Sequence, residues 1–518
     1  MTRAVVVGAG HNGLIAAAYL ARAGLSVTVL EAGDATGGCA ATVSALGARF
    51  NICNCDHILV RSTPIIDELR LADHGLTYLP ADPVHLHLGW DGAAPWPLFQ
   101  DAERTIDGLG RLYPASVPGY RRYLAAARPA ADLTIEMANV LPTAPTAARA
   151  ALRRRMAGVR ELLAWSRMSA ESVMRSFFPD EEVVRALMTT GPSVWGVTPR
   201  MPGTGLAALA FAMKHRVGAG RPVGGSGAFP DSVRSALEAA GGSVRCGARV
   251  AGLRADRSGV RAVVLDGGEQ IDADLVVTAC DPRTVLVDWI GPAAPPRAAR
   301  RWAKRPRFDG YESKIDAVLS TLPRYRSLTG VSSELLGGIE PLTSTGVISP
   351  TVAEADAAWA ASNSGRIADR PPLLANYPSV VDETLRSDGR HILSLEALHT
   401  PYALEGGWQG SAEPQRWLER YAELLEPGFL DSIVDYRVMT PVDYESQFGM
   451  DRGFAPAFSG SPLQAVLGRD RELTRYRTPV RGVYVSGAGT YPGAGVWGAA
   501  GRNAASVVLR DLGVAWPA

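Results

Sequence analysis

The feature that most constrains this chain is a glycine-rich loop placed directly after its first apolar run. The apolar residues 5–7 are followed by the spacing G-x-G-x-x-G over residues 8–13, an Ala-rich stretch, and a second apolar run that ends at Glu31. This order predicts a buried strand, a tight turn, a helix, a second strand and an acid. It is the arrangement of a dinucleotide-binding unit.

Each residue of this unit has a physical task. Gly8 permits the tight turn, Gly10 lets the backbone approach a pyrophosphate, and Gly13 lets the helix pack against its strand. The helix N-terminus offers free N–H groups to the phosphates. Glu31 is placed to accept hydrogen bonds from ribose hydroxyls, which favours FAD or NAD. A purely structural turn is the alternative, and the complete order of elements argues against it.

Two further glycine-rich stretches favour FAD over NAD. Gly37 and Gly38 follow Glu31 closely, where the chain must turn beside the cofactor. Near the C-terminus, residues 482–501 predict a strand at 483–485, a loop, and a helix that begins near Gly495. The N–H groups of that helix would face the flavin edge that becomes anionic on reduction. The cofactor-binding candidates in this stretch are Gly487, Gly489, Gly495, Val496 and Trp497.

These motifs, together with the central run 221–232, resemble the phytoene desaturase-like branch of the FAD-dependent amine oxidase superfamily. The resemblance implies bound FAD, a redox reaction at carbon, and a largely apolar organic substrate. It also implies a backbone contact from Val250 to the adenine. Cys39 stands where these families often carry Arg, and Trp497 stands where they commonly carry Pro. The second departure indicates a reshaped substrate surface.

The expected fold is α/β, with a Rossmann-like FAD-binding domain built from discontinuous segments and a mixed α+β substrate domain. We assign residues 1–80, 220–300 and 440–518 to the FAD-binding domain. We assign residues 81–219 and 301–439 to the substrate domain, whose first segment has a helical part. Within that segment a hairpin is predicted around Asp91 and Gly92, and the helical patterns cover residues 120–140, 147–166 and 179–190.

Composition excludes several other classes of protein. The formal net charge is +1, so nucleic acid is not an expected partner. Five cysteines show neither a disulfide framework nor a metal-binding spacing, and we predict no metal site. The first strand begins by Ala4 and no apolar run is long enough to span a bilayer, so we expect a cytoplasmic protein. Arg153, Arg154 and Arg155 indicate a solvated helix face, or contact of the protein's periphery with lipid headgroups.

The catalytic residues are less clear from sequence. Hydride transfer to a flavin depends mainly on holding a substrate carbon against the ring in a dry pocket. If a proton also leaves, Asp56 and His57 are the first candidates, because in the resembling family this stretch returns toward the flavin. A hydrogen-bonded structural histidine is the alternative at His57. His399 and Tyr402 form a second candidate set.

The sequence therefore predicts an FAD-dependent desaturase, dehydrogenase or oxidase that removes a hydride from an apolar or amine-bearing metabolite, as enzymes of secondary metabolism do. No second G-x-G-x-x-G unit with a following acid is visible, so the electron acceptor is dioxygen, a quinone or a soluble carrier. Two alternatives stay open. One is a non-enzymatic prenyl- or lipid-binding protein of the dissociation-inhibitor type, and the other is a flavin-dependent isomerase.

Overall fold

A computed structural model of the protein describes residues 1–53, 55–256, 258–329, 331, 333–386, 388–454 and 462–517. Its strands are β1 Arg3–Val7, β2 Ser26–Leu30, β3 Thr42–Ala45, β4 Ala48–Asn51, β5 Tyr78–Ala81, β6 His85–Gly89, β7 Trp96–Leu98, β8 Ala219–Pro222, β9 Ser243–Arg245, β10 Val250–Asp256, β11 Gly259–Leu265, β12 Gln270–Asp272, β13 Leu275–Thr278, β14 Tyr311–Leu319, β15 Thr345–Ser349, β16 Leu373–Asn376, β17 His391–Thr400, β18 Ile433–Met439 and β19 Val483–Val485.

The α-helices of the described residues are α1 His11–Arg22, α2 Ile65–Glu68, α3 Ala102–Leu112, α4 Val117–Ala138, α5 Ala144–Arg153, α6 Val159–Trp165, α7 Ala170–Arg175, α8 Glu181–Thr190, α9 Ala210–Val217, α10 Ala228–Ala239, α11 Pro296–Ala303, α12 Val352–Asn363, α13 Pro378–Val381, α14 Glu413–Ala422, α15 Phe429–Ser432, α16 Pro441–Phe448, α17 Pro462–Val466, α18 Arg471–Arg475 and α19 Ala499–Leu512. Among these residues, no helix combines the length and the apolar character needed to cross a lipid bilayer.

A parallel sheet of five strands carries the glycine-rich loops. Its order is β19-β13-β1-β2-β9, and neighbouring strands all run in the same direction. Helices α1, α10 and α19 cover one face, and the small sheet β10-β11-β12 covers the other. Since both faces are covered, the central strands are nearly continuous Val and Leu. The predicted α/β fold with a Rossmann-like unit is confirmed.

A second sheet of seven strands has the order β18-β14-β17-β16-β15-β6-β7. All its pairs are antiparallel except β15 with β6. One face packs against an apolar core that includes Ile315, Leu395 and Tyr421. Because side chains alternate along a strand, Lys314 and Asp316 lie on the opposite face. This sheet therefore has one apolar face and one face with buried charges.

The helical part, α3–α9, packs around a core that includes Tyr120, Tyr123 and Phe211. The hairpin expected around Asp91 is present as β6 and β7. The single helix predicted over residues 147–166 is wrong, because α5 ends at Arg153 and α6 begins at Val159. The backbone between them is left-handed at Arg155, Met156 and Gly158, and such residues cannot continue an α-helix.

Candidate active site

The dinucleotide loop follows β1 and has the close geometry that its glycines predict. Gly8 has a φ of +97°, which only glycine adopts readily. A Cβ on Gly13 would lie 2.0 Å from the carbonyl oxygen of Gly8, so this position admits no side chain. A Cβ on Gly10 would meet nothing within 4 Å. Gly10 therefore faces open space, as a backbone that approaches a ligand does.

Glu31 lies directly after β2 and supports the loop. Its carboxylate accepts hydrogen bonds from the N–H of Ala9 at 2.7 Å and the N–H of Gly33 at 2.9 Å. The side chain is only partly buried. Because a carboxylate has about four acceptor positions, Glu31 retains capacity for ribose hydroxyls. The acid thus holds the turn and still presents free acceptor positions.

Gly37 and Gly38 rest on the dinucleotide loop. Their φ values are +111° and +55°, and the N–H of Gly37 donates to the oxygen of Ala9 at 2.9 Å. A Cβ on Gly38 would lie 3.3 Å from the Cα of Gly10. The loop after β2 therefore contacts the loop after β1 through backbone, where larger residues would separate the two.

Val250 begins β10, close to the same edge of the parallel sheet. Just before it, the N–H of Gly247 donates to the oxygen of Gly33 at 2.9 Å, and the N–H of Ala248 donates to the oxygen of Glu31 at 2.7 Å. These bonds bring Val250, the residue implied to contact the adenine, beside the acid that is predicted to contact the ribose.

The C-terminal glycine-rich loop begins after the predicted strand β19. A Cβ on Gly487 would lie 3.2 Å from the backbone of Ala279, and one on Gly489 would lie 2.2 Å from the ring of Pro282. Both glycines therefore let this loop lie against the segment that follows β13. The loop is held by close backbone packing, as the first loop is.

The end of this loop corrects one prediction. The helix was expected to begin near Gly495, but α19 begins at Ala499. Gly495 and Gly498 have φ values of +93° and +79°, so the backbone before Ala499 is left-handed rather than helical. Val496 accepts a hydrogen bond from the N–H of Val60 at 3.0 Å. Trp497 is buried, and its Nε1 has no partner among the described residues.

These loops meet at one edge of the sheet and fit a dinucleotide. They follow the carboxyl ends of β1, β2, β13 and β19, where open α/β sheets bind ligands. Asn12 in the first turn of α1 accepts the N–H of Gly501 in the first turn of α19 at 3.2 Å, and this bond joins the two helices that follow the glycine-rich loops. The N-cap of α1, Gly10, makes no side-chain capping bond. The first-turn N–H groups of α1 are thus available to phosphate oxygens.

Comparisons with known proteins agree with this geometry. Residues 6–63 match the family model described as an NAD(P)-binding Rossmann-like domain, and residues 84–318 match that described as flavin containing amine oxidoreductase. The chain is similar to flavin-containing amine oxidoreductases and to phytoene desaturases. It is an oxidoreductase, and its cofactor is FAD.

Its relatives match nearly the whole chain. It is 29% identical to pyridine nucleotide-disulfide oxidoreductase domain-containing protein 2 of Rattus norvegicus, over 98% of this chain and 93% of that protein. It is 25% identical to the lycopene-forming phytoene desaturase of a Paracoccus species, over 98% and 97%. Its fold is similar to that of cyclohexylamine oxidase from Brevibacterium oxydans, with a TM-score of 0.61, 17% identity and 99% coverage of both chains.

His57, the first catalytic candidate, is fully buried with both ring nitrogens in hydrogen bonds. Nδ1 lies 2.9 Å from the hydroxyl of Tyr78, and Nε2 lies 2.7 Å from the hydroxyl of Ser226. Burial lowers the pKa of His57 to about 3. A neutral imidazole with no free nitrogen has the geometry of a structural histidine.

Asp56 is held in an ion pair with Arg221, whose Nε lies 2.7 Å from a carboxylate oxygen. Its other oxygen accepts the hydroxyl of Thr345. Arg221 also donates to the amide oxygen of Asn376 at 3.1 Å. Asp56 therefore connects the segment after the cofactor loops to strands of the seven-stranded sheet.

Among the described residues, no hydrogen bond joins His399 to Tyr402. His399 is buried, has a φ of +61°, and its Nε2 has no partner among the described residues. Burial lowers the pKa of His399 to about 4. Tyr402 instead donates its hydroxyl to Glu445, and Arg452 lies over its ring.

Sequence reasoning missed a buried charged cluster on the seven-stranded sheet. Lys314 on β14 is directly opposite Glu396 on β17 and lies 2.9 Å from the carboxylate of Asp316. Burial raises the pKa of Glu396 to about 7, and it also raises the pKa of Glu312 well above its usual range. The alternation of charged and other residues over 312–316 was the signal that could have found this cluster.

Lys314 also joins the cluster to the cofactor loops. Its Nζ donates to the backbone oxygen of Asn51, at the end of β4. Strand β4 pairs with β3, which begins at Thr42, four residues after Gly38. The same hairpin contacts a third segment, because Thr42 accepts the N–H of Gly227 at 2.8 Å. A short stretch of chain thus separates the charged cluster from the cofactor loops.

Proposed function

We propose that this enzyme removes a hydride from a carbon of an apolar organic molecule, as a desaturase or dehydrogenase. The observation that carries the proposal is the position of the two glycine-rich loops, which both follow strands at the carboxyl edge of the parallel sheet. The helices after these loops are joined by the bond between Asn12 and Gly501, and a buried acid–base cluster lies one hairpin away. The similarity to a phytoene desaturase over nearly the whole chain supports a hydrocarbon-like substrate.

In this proposal residues 1–80, 220–300 and 440–518 form the FAD-binding domain, and 81–219 and 301–439 form the substrate domain. The five parallel strands come from the first set, and the seven-stranded sheet comes from the second. When bound, FAD supplies a flavin ring that accepts a hydride. The FAD contacts are those proposed from sequence: Gly8, Gly10, Gly13, Glu31, Gly37, Gly38, Val250, Gly487, Gly489, Gly495, Val496 and Trp497.

The chain's own residues would position the substrate and exclude water. Apolar side chains line the C-terminal loop, namely its own Val496 and Trp497 and the neighbouring Leu59. A Cβ on Gly495 would lie 3.0 Å from Leu59, and Trp497 packs against Leu59, which is partly buried. Such apolar walls keep a substrate carbon dry, and dry walls favour hydride transfer over side reactions. They also favour an apolar substrate.

We assign proton transfer to Glu396 and positioning to Lys314. A carboxyl group with a pKa of about 7 can take a proton near neutral pH, which suits a general base. Lys314 binds Asp316 on β14 and the backbone of Asn51 on β4, and so it links the charged face of β14 to the β3–β4 hairpin. His57 and Asp56 are assigned positioning roles because their polar atoms bind neighbouring residues. His399, whose Nε2 has no partner among the described residues, is the second candidate base, and Tyr402 is the third.

The test is anaerobic flavin reduction by purified holoenzyme. We expect the flavin bands to bleach with acyclic terpenes or other polyunsaturated hydrocarbons and not with primary amines of similar size. Bleaching by amines alone would overturn the substrate class and favour an amine oxidase. Conversion of substrate to an isomer with no net redox change would favour the isomerase. Reoxidation with dioxygen, a quinone and a soluble carrier, measured separately, identifies the electron acceptor.

A further inference from the structure

The segment from α5 to α6 carries an unusual concentration of positive charge. Residues 141–170 contain six arginines and one acid, Glu161, whereas the net charge of the whole chain is +1. Arg153 and Arg154 both bind Glu136 on α4, and Arg154 also binds Asp132, so both arginines have acidic partners. Among the residues that the structure describes, the exposed side chains of Arg149, Arg155 and Arg160 have no acidic partner.

Large apolar side chains stand exposed among these arginines. Leu152 is 70% exposed, Met156 is 54% exposed and Leu163 is 43% exposed. Leu152 lies in the last turn of α5, Met156 lies in the turn that follows, and Leu163 lies in α6. Single exposed apolar residues are ordinary, but a group of them next to unpaired arginines indicates an interaction surface.

The turn between the helices has an unusual backbone and packs against α4. Arg155 and Met156 have φ values of +51° and +64°, which are uncommon for residues other than glycine. Gly158 holds the turn against α4, because a Cβ there would lie 2.5 Å from the backbone of Pro129 and Ala130. The turn therefore combines a strained backbone, close packing on α4 and an exposed apolar side chain. This combination is consistent with a functional role.

We propose that the α5–α6 surface, formed by Arg149, Leu152, Arg155, Met156, Arg160 and Leu163, docks on an anionic phospholipid bilayer. The arginines would bind lipid phosphates, and the apolar side chains would insert below the headgroups, as in interfacial helices. Charge complementarity favours this occupant over a neutral partner. The inference goes beyond the proposed reaction and does not depend on it.

The test is co-sedimentation of the holoenzyme with vesicles of phosphatidylcholine containing about 30 mol% phosphatidylglycerol, with pure phosphatidylcholine vesicles beside it. We expect binding to the anionic vesicles only, weakened by salt. Replacing Arg149, Arg155 and Arg160 together by Ser should weaken binding about a hundredfold, on the order of fivefold for each arginine. Leu152→Ser with Met156→Ser should weaken it about tenfold or more at unchanged charge.

Two matched controls keep this test specific. Arg297→Ser with Arg300→Ser removes charge from α11, and Leu430→Ser with Val434→Ser removes exposed apolar groups elsewhere; neither should change vesicle binding. Equal binding to neutral vesicles, no binding by the wild-type protein, or unchanged binding by the surface variants would overturn the proposal. A dimer lost in Leu152→Ser with Met156→Ser, without vesicle binding, would instead assign the surface to a second copy of the chain.

Discussion

The carboxyl edge of the parallel sheet and the charged face of the seven-stranded sheet are built from different kinds of contact. At the sheet edge, glycines remove side chains so that backbone can approach backbone and ligand, as at Gly13 and Gly10. On the polar face, charged side chains such as Lys314 and Glu396 are buried against one another. The first region depends on glycines, which have no side chain. The second region depends on the pairing of charged side chains that lie far apart in the sequence.

The sharpest test of the first region compares two glycines of one loop. Gly13→Ala places a Cβ 2.0 Å from the oxygen of Gly8, so we expect loss of about 3 kcal/mol or more of stability and no retained FAD. Gly10→Ala has open space and a φ of −67°, so it should fold normally. Its methyl group would occupy the ligand side, and FAD affinity should fall about tenfold or more.

Thermal unfolding of the apoprotein and FAD titration measure the two effects separately. An apoprotein of Gly10→Ala as unstable as that of Gly13→Ala would contradict the assignment of Gly10 to ligand approach. Full FAD retention by Gly10→Ala would contradict it equally.

The second region is tested by Glu396→Gln, which keeps the shape and removes the titrating group. If Glu396 is the base, flavin reduction should slow by about a hundredfold, the usual scale of general-base catalysis. In the wild-type enzyme the rate should rise with pH through about 7, because the carboxylate forms there. The variant should lose this dependence.

Stopped-flow reduction of the holoenzyme over a pH series measures both quantities. The matched control is Glu405→Gln, an exposed residue beyond β17. A pH profile that survives in Glu396→Gln would transfer the role of base to His399.

Glu31→Ala tests whether Glu31 binds the ribose of FAD or only accepts hydrogen bonds from the backbone of the cofactor loop. Ribose hydroxyls left without an acceptor cost about 1–3 kcal/mol, so FAD affinity should fall about fivefold to a hundredfold. Glu31→Gln should recover part of this loss, since its amide oxygen still accepts a hydrogen bond. Equilibrium FAD titration is the measurement, and an unchanged affinity in Glu31→Ala would refute the ribose contact.

The smallest expected effect on chemistry is that of His57→Ala. We expect near-normal flavin reduction and a loss of about 1–3 kcal/mol of stability, because Tyr78 and Ser226 lose their partner. The pKa of His57 is lowered in the folded state, so its neutral form stabilises the fold above the unfolded pKa of about 6.5.

That contribution is lost as the pH falls toward the folded pKa. The stability difference between wild type and His57→Ala should therefore be largest near pH 8 and shrink below about 6.5. Chemical denaturation at several pH values checks it. A collapse of the reduction rate with stability intact would restore His57 as a base.

Much of the first region could be predicted because its determinants are local. A short stretch of sequence is enough to predict each of three features: the loop over residues 8–13, the acid directly after β2 and the strand Val483–Val485. The start of α19 was misplaced by four residues, since left-handed glycines at Gly495 and Gly498 do not show in a pattern of small and apolar residues. The break between α5 and α6 is equally hidden, because Arg155 and Met156 adopt a left-handed backbone although neither is a glycine.

The sequence by itself determined a dinucleotide-binding unit, the α/β class and a flavin-dependent oxidoreductase. Only the tertiary structure decided that His57 is enclosed by Tyr78 and Ser226, and that Glu396 lies opposite Lys314. Backbone turns depend on neighbouring residues, which a sequence displays. The pKa of a side chain depends on burial and on partners that can lie far away along the chain, and only folding brings these together.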